Sequence, residues 1–224
     1  VGPADSKTKT ELSATSIILG QSVTDTATVT GLGAPFPMPT GNVEFWVLPP
    51  GGVWTKFDTK PLVGGAATSD PYTPLATGTY YFKAKYLGDS NYKPSESGDT
   101  EEPLFVKPYT PTVKTELSAT EITLGDSVTD KVTVTGLPAP FPGPTGNVEF
   151  YVSTDGGATW SKFGATKVLV AGSATSDPYT PLAVGDYYFK AKYLGDANYD
   201  PAESGAKEEP LKVKPYTPKV ETLL

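Results

Sequence analysis

The chain has no cysteine and no histidine among its 224 residues, no arginine, and a single methionine. Each absence removes a chemistry. Without Cys or His there is no Ser-His-Asp triad, no thiol nucleophile and no ordinary zinc or copper site. Disulfides are impossible. All 18 basic residues are Lys, so no planar guanidinium fork grips a phosphate or carboxylate in two places. No stretch approaches the roughly 20 apolar residues that a membrane-spanning helix needs, so no membrane insertion by this segment is expected. The opening Val-Gly-Pro-Ala lacks a basic-then-apolar leader pattern; a leader or anchor elsewhere in a longer protein stays open. A net charge of −7 repels nucleic acid, which is not an expected partner.

What is abundant points one way. The chain holds 23 Gly, 23 Pro and 13 Tyr, with many Thr and Val besides. Thr, Val and Tyr suit half-buried pleated surfaces, whereas Pro and Gly interrupt helices. The reading is all-β. The length suits two domains of about 100 residues each.

Internal repetition decides the organisation. TELSAT at 10–15 returns at 115–120, and PTGNVEF at 39–45 returns at 144–150. ATSDPYTPLA at 67–76 returns at 174–183, and YYFKAKYLGD at 80–89 returns at 187–196. The offset is 105 for the first two blocks and 107 for the last two, so two residues enter where 48–58 faces 153–163. Insertions concentrate in exposed loops, and a surface turn is expected there. A period near 105 is the size of a domain, not of a solenoid repeat. KPYTP at 107–111 recurs at 214–218 and marks the joint. Two prolines in five residues hold such a connector near polyproline II, so the expected assembly is a rod of stiffly joined modules. The expected domains are 1–107 and 108–215, with 216–224 as the start of a third copy.

Within the first copy, strand signals fall near 9–14, 22–31, 41–48, 54–60, 62–69, 79–87 and 101–107. Val43, Phe45 and Val47 share one face, as do Tyr80, Phe82, Ala84 and Tyr86; Lys83 and Lys85 take the other. Seven short alternating strands in about 100 residues indicate a two-sheet sandwich with Greek-key connections.

The run GTYYFKAKYLGDSNYKPS at 78–95, with PTGNVEF and SVTDTATVTG upstream, resembles the bacterial Ig-like repeat domain of prokaryotic surface proteins. That family's mark is a strand ending in Tyr, then Gly-Asp-x-Asn-Tyr-x-Pro. Here these are Tyr86 with 88–94, and Tyr193 with 195–201. The resemblance covers nearly all of both copies. It implies two tandem immunoglobulin-like sandwiches from an extracellular array at the cell surface, of adhesin or surface-layer type, acting mostly as spacers.

Several residues are candidates for more than packing. The Gly-Asp-x-Asn-Tyr loop reads as a turn whose Asp and Asn bond the backbone, with Tyr92 and Tyr199 covering the sandwich end. STDGGATW at 153–160 matches the Asp-box and resembles the hairpin device of sialidases, in which Asp155 holds the turn and Trp160 lies beneath it. The arginines that grip a sialidase substrate are missing, and the first copy keeps only Trp54. Asp25 and Asp130 fall in phase with the apolar residues of their strands, where a carboxylate is costly unless relieved. Relief at a strand end, by solvent or a nearby hydroxyl, is the expected arrangement. The alternative is an isopeptide bond made beside the acid from Lys9 or Lys114 and Asn42 or Asn147, although the final strands lack the usual Asn. Asp99, Glu101 and Glu102, and Glu203, Glu208 and Glu209, cluster near the joints as candidate calcium ligands or a solvated acidic face. Trp46, Tyr151, Tyr72 and Tyr179 stack on sugar rings or line the sandwich and the joint.

No catalytic residue and no cofactor are expected, calcium at the acidic clusters aside. A two-carboxylate glycosidase finds no cleft in the pattern. Two functions remain: a structural spacer whose partners are other repeats of the same chain, and an adhesive module for a glycan, a host protein or a neighbouring copy.

Overall fold

The computed structural model describes residues 2–221. The chain divides after Pro108 into two compact units, one residue beyond the expected joint. Of the expected third-copy segment, residues 216–221 form no strand and 222–224 lie outside the described residues.

The first domain runs β1 (Lys7–Leu12), β2 (Ser16–Ile18), β3 (Asp25–Thr30), β4 (Asn42–Leu48), β5 (Thr55–Pro61), β6 (Ala66–Thr68), β7 (Gly78–Tyr86), β8 (Ser95–Glu96) and β9 (Glu102–Lys107). One sheet has the order β1-β3-β6; the other has β2-β9-β7-β4-β5, with β8 paired to the end of β7. The chain crosses between sheets at β1–β2, β2–β3, β3–β4, β5–β6 and β6–β7, which gives the Greek-key sandwich. The second domain repeats this with β10 (Thr112–Leu117), β11 (Glu121–Thr123), β12 (Asp130–Thr135), β13 (Asn147–Ser153), β14 (Ser161–Val168), β15 (Ser173–Thr175), β16 (Gly185–Tyr193), β17 (Ala202–Glu203) and β18 (Glu209–Lys214). Its sheets are β10-β12-β15 and β11-β18-β16-β13-β14, with β17 on β16.

Side-chain alternation places the core. Ala27 and Val29 of β3 point inward while their Thr neighbours face water; Val43, Phe45 and Val47 of β4 stand opposite Tyr86, Ala84 and Phe82 of β7. Phe57 packs edge-on to Phe82 at 5.9 Å between ring centroids and against Tyr72 at 5.1 Å. Phe163, Tyr179 and Phe189 repeat the cluster. Tyr72 and Tyr179 therefore line the sandwich, and Trp46 and Tyr151 sit on the outer face of the larger sheet.

Two elements escape the sequence pattern. β2 leaves the first sheet and pairs in parallel with β9, with Ser16 opposite Phe105 and Ile18 opposite Lys107. β8 adds a two-residue rung to β7. The two inserted residues of the second domain also divide. One lengthens the turn between β13 and β14, and the other enters β14, where Gly164 takes φ +65° within a bulge.

Candidate functional site

The Gly-Asp-x-Asn-Tyr loop is consumed by its own fold. Asp89 accepts hydrogen bonds from the Thr40 amide and hydroxyl, both at 2.8 Å, and from the amides of Asn91 at 2.7 Å and Tyr92 at 2.8 Å. Burial alone raises its pKa; these bonds, the Thr40 amide first, outweigh burial and hold the carboxyl well below the usual range. Tyr92 is buried, and its hydroxyl donates to the Pro37 carbonyl. In the second domain Asp196 takes the same four donors, and the Tyr199 hydroxyl donates to Pro142 O at 2.7 Å. Each loop thus ties the β7–β8 or β16–β17 connection to the loop before β4 or β13.

The Asp-box forms as a turn. Asp155 accepts from the Thr159 hydroxyl at 2.6 Å, the Thr159 amide at 2.9 Å and the Ser153 hydroxyl at 2.7 Å, and its pKa is depressed, chiefly by the Thr159 hydroxyl. Trp160 lies against this turn with Lys190 Nζ 4.9 Å from its ring centroid. In the first domain Trp54 keeps the same cation–π contact, with Lys83 at 4.6 Å.

The acidic clusters do not converge. Asp99 pairs with Lys83 at 2.9 Å, and Glu203 with Lys190 at 2.9 Å. Glu101 and Glu208 stay exposed; Glu101 accepts the Gly98 amide at 3.3 Å. Glu102 and Glu209 turn the other way, in phase with Leu104 and Val106 or Leu211 and Val213, toward the core. Among the described residues no group of three or more acids is placed to hold a metal ion.

Asp25 and Asp130 are fully buried, and neither carboxyl has a hydrogen-bond partner. The expected relief by solvent or hydroxyl is overturned, for a traceable reason. The Ser69 hydroxyl, close by, accepts from the Asp25 amide at 3.0 Å and donates to Asp70 O at 2.9 Å, so it serves the backbone instead. Ser176 does the same for Asp130. Burial first, then the charge of Glu102, raises the Asp25 pKa to about 7; burial and Glu209 do so for Asp130. The side chains required for an isopeptide bond are elsewhere: Lys9, Lys114, Asn42 and Asn147 all face outward.

Trp46, Trp54, Lys83, Lys85 and Glu96 line a pocket of about 160 Å³ on the outer face of the first domain, and Trp46 Nε1 is buried there without an acceptor. In the second domain Tyr151 replaces Trp46, and its hydroxyl donates to Glu149 at 2.7 Å. A wider concavity of about 730 Å³, bordered by Gly136, Pro138, Pro144 and Ala171, brings no titratable side chain together.

No curated protein matches the chain. Among solved structures it is similar to the adhesin InvE of Yersinia pseudotuberculosis, at 15% identity and a TM-score of 0.43, over 92% of this chain and 58% of that one. It is also similar to the Escherichia coli adhesin FdeC, at 12% and 0.36, over 94% and 64%. The D0-D1 domain of intimin aligns at 17% and 0.32, over 88% and 97%. The chain thus spans less than two thirds of the first two proteins' length. The model of the bacterial Ig-like domain (group 3) matches residues 10–102 and again 115–209. With both sandwiches, both Tyr-capped loops and nearly the whole length accounted for, the chain belongs to the bacterial Ig-like domain family, as two tandem copies.

Proposed function

We propose that this chain is a structural spacer, a length of stalk in an extracellular protein at the microbial cell envelope, with further copies of the same repeat as its partners. The observation that carries this reading is the parallel pairing of each domain's last strand with its second strand. β2 runs parallel to β9, flanked by Phe105 N–H to Thr15 O and Leu19 N–H to Lys107 O, both at 2.9 Å. β11 and β18 repeat it, with Lys212 N–H to Thr120 O and Leu124 N–H to Lys214 O. Tension between the two ends of a domain passes through β1 or β10 first and then along these strands, whose hydrogen bonds it loads in shear. Bonds loaded this way share the force and break together, whereas a hairpin pulled from its open end unzips one bond at a time. Near-identity of the two copies agrees with this role, because a spacer needs only repetition. Catalysis is not part of the proposal: the candidate side chains hold turns, pair with lysines or face the core. Single-molecule extension tests it, with the expected result of two unfolding events of similar, high force per chain. Extension without force peaks would overturn it.

A second reading, adhesion to a glycan, is favoured by the Trp46–Trp54 pocket, which is lined by two aromatic side chains together with Lys83, Lys85 and Glu96. Its test is a glycan array with the intact chain beside a Trp46→Ala variant. Binding that the variant loses would displace the spacer reading for the first domain.

A further inference from the structure

In each domain a fully buried Asp and a half-buried Glu, the latter with one carboxyl oxygen shut off from water, face one another between the sheets. Asp25 opens β3 opposite Leu12, and Thr10 lies diagonally from it opposite Ala27, so all four side chains point inward from the smaller sheet. From the larger sheet Glu102, opposite Phe82 on β7, points inward to meet them. Both oxygens of Asp25, Oε2 of Glu102 and the hydroxyl of Thr10 are buried without hydrogen-bond partners. The second domain reproduces the constellation atom for atom with Asp130, Glu209 and Thr115. The recurrence in two copies makes this a built feature.

A carboxylate buried like Asp25, beside a half-buried second one, is opposed both by desolvation and by mutual repulsion when no counter-charge stands near. The groups around them supply none. From β1 the Glu11 carboxylate, and from β9 that of Glu101, push the Glu102 pKa further upward after burial; the Leu12 amide offsets only part of this, and the Glu11 amide, near Asp25 but short of a hydrogen bond, offsets only part of the effect there. From β7 the facing residue is Phe82, and next to β6 the Ser69 hydroxyl serves the backbone. No lysine acts on either acid. A divalent cation would want six or more oxygens, and among the described residues no three acids are placed together to hold one.

We propose that each domain is a one-proton site: Asp25 and Glu102 hold a single proton between them, as do Asp130 and Glu209, so that each sandwich is firmer in mildly acidic medium and looser in alkaline medium. The sign follows from linkage. The folded domain binds more protons than the unfolded chain between about pH 4, where a free Asp ionises, and about pH 7, where Asp25 does. Stability therefore falls as pH rises through this window and levels off above it.

The test is a thermal melt of the intact chain from pH 5 to pH 9, with Asp25→Asn and Glu102→Gln beside it. The expected loss for the unsubstituted chain is on the order of 10 °C; Asp25→Asn flattens that loss for the first domain and Glu102→Gln reduces it, while both leave the second domain's slope. If a variant fails to fold, the infrared band of a protonated carboxyl in the unsubstituted chain decides; it should be present at pH 6 and lost by pH 9. Unchanged slopes in both variants, or no such band, would overturn the proposal. So would millimolar calcium at pH 8 restoring the melt as fully as acid does, which would make this a cation site.

Discussion

At the scale of single residues, the molecule spends its unusual side chains on closing loops. Tyr92 shows how tightly. A Cβ added to Gly31 would fall within the Tyr92 ring, and one added to Gly136 within the Tyr199 ring. Neither glycine has positive φ, so the demand is for space and not for backbone freedom. Gly31→Ala is expected to cost about 1–3 kcal/mol through overpacking, seen as a lower melting midpoint for the first domain alone. Gly136→Ala should do the same to the second. Residue identity also explains what the sequence could and could not disclose. Asp25 and Asp130 were legible as inward by their phase with Ala27 and Val132. Their isolation was not legible, because it depends on Ser69 and Ser176, far along the chain, being occupied by backbone. Glu102 was misread for a plainer reason. It stands beside Glu101 and close to Asp99 in a run that looks solvated, and only its register against Phe82 turns it inward.

At the scale of elements, long alternating strands were legible and short ones were not. β4 and β7 carry their own period of two over seven and nine residues. β2 has three residues and β8 two, too few to show any period. Yet β2 bears the mechanical argument, and its contribution can be measured. The Phe105 side chain is exposed, and its amide bonds Thr15 across the parallel ladder. Phe105→Pro removes that donor and leaves the core side chains in place. Pulled singly, this variant should show one of its two unfolding peaks at reduced force, and Lys212→Pro should lower the other. Equal peaks in both variants would mean that the force is resisted elsewhere. The turn between β13 and β14 shows the same limit of pattern. Its Asp-box was readable from Ser153, Asp155 and Trp160, whereas the bulge at Gly164 follows from pairing with β13.

At the scale of the whole molecule, two sets of carboxyls bracket the pH of greatest stability. Asp89, Asp196 and Asp155 have pKa values held below the usual range, by hydrogen bonds that outweigh burial at the first two and chiefly by Thr159 at the third. Groups of this kind contribute stability above about pH 4, and it drains away as pH falls through their folded values. Asp25 and Asp130 act with the opposite sign and withdraw stability as pH climbs toward about 7. The melting temperature plotted against pH should therefore crest between about 4 and 6, and scanning calorimetry across pH 2–9 would locate the crest. A plateau running from 6 to 8 would contradict this balance. Because both copies carry both sets, the two domains should crest together.

The parallel closure of each sandwich has one more consequence, in length. While the ladder between β2 and β9 stands, the residues from 16 to 107 add almost nothing to the reach of a stretched chain. Once it gives way they are released as roughly 300 Å of slack, and the tension on every neighbour drops at that instant. A tandem series built this way yields one unit at a time under a sudden tug, each sacrificed fold sparing the next, and recovers its resting extent when the units refold.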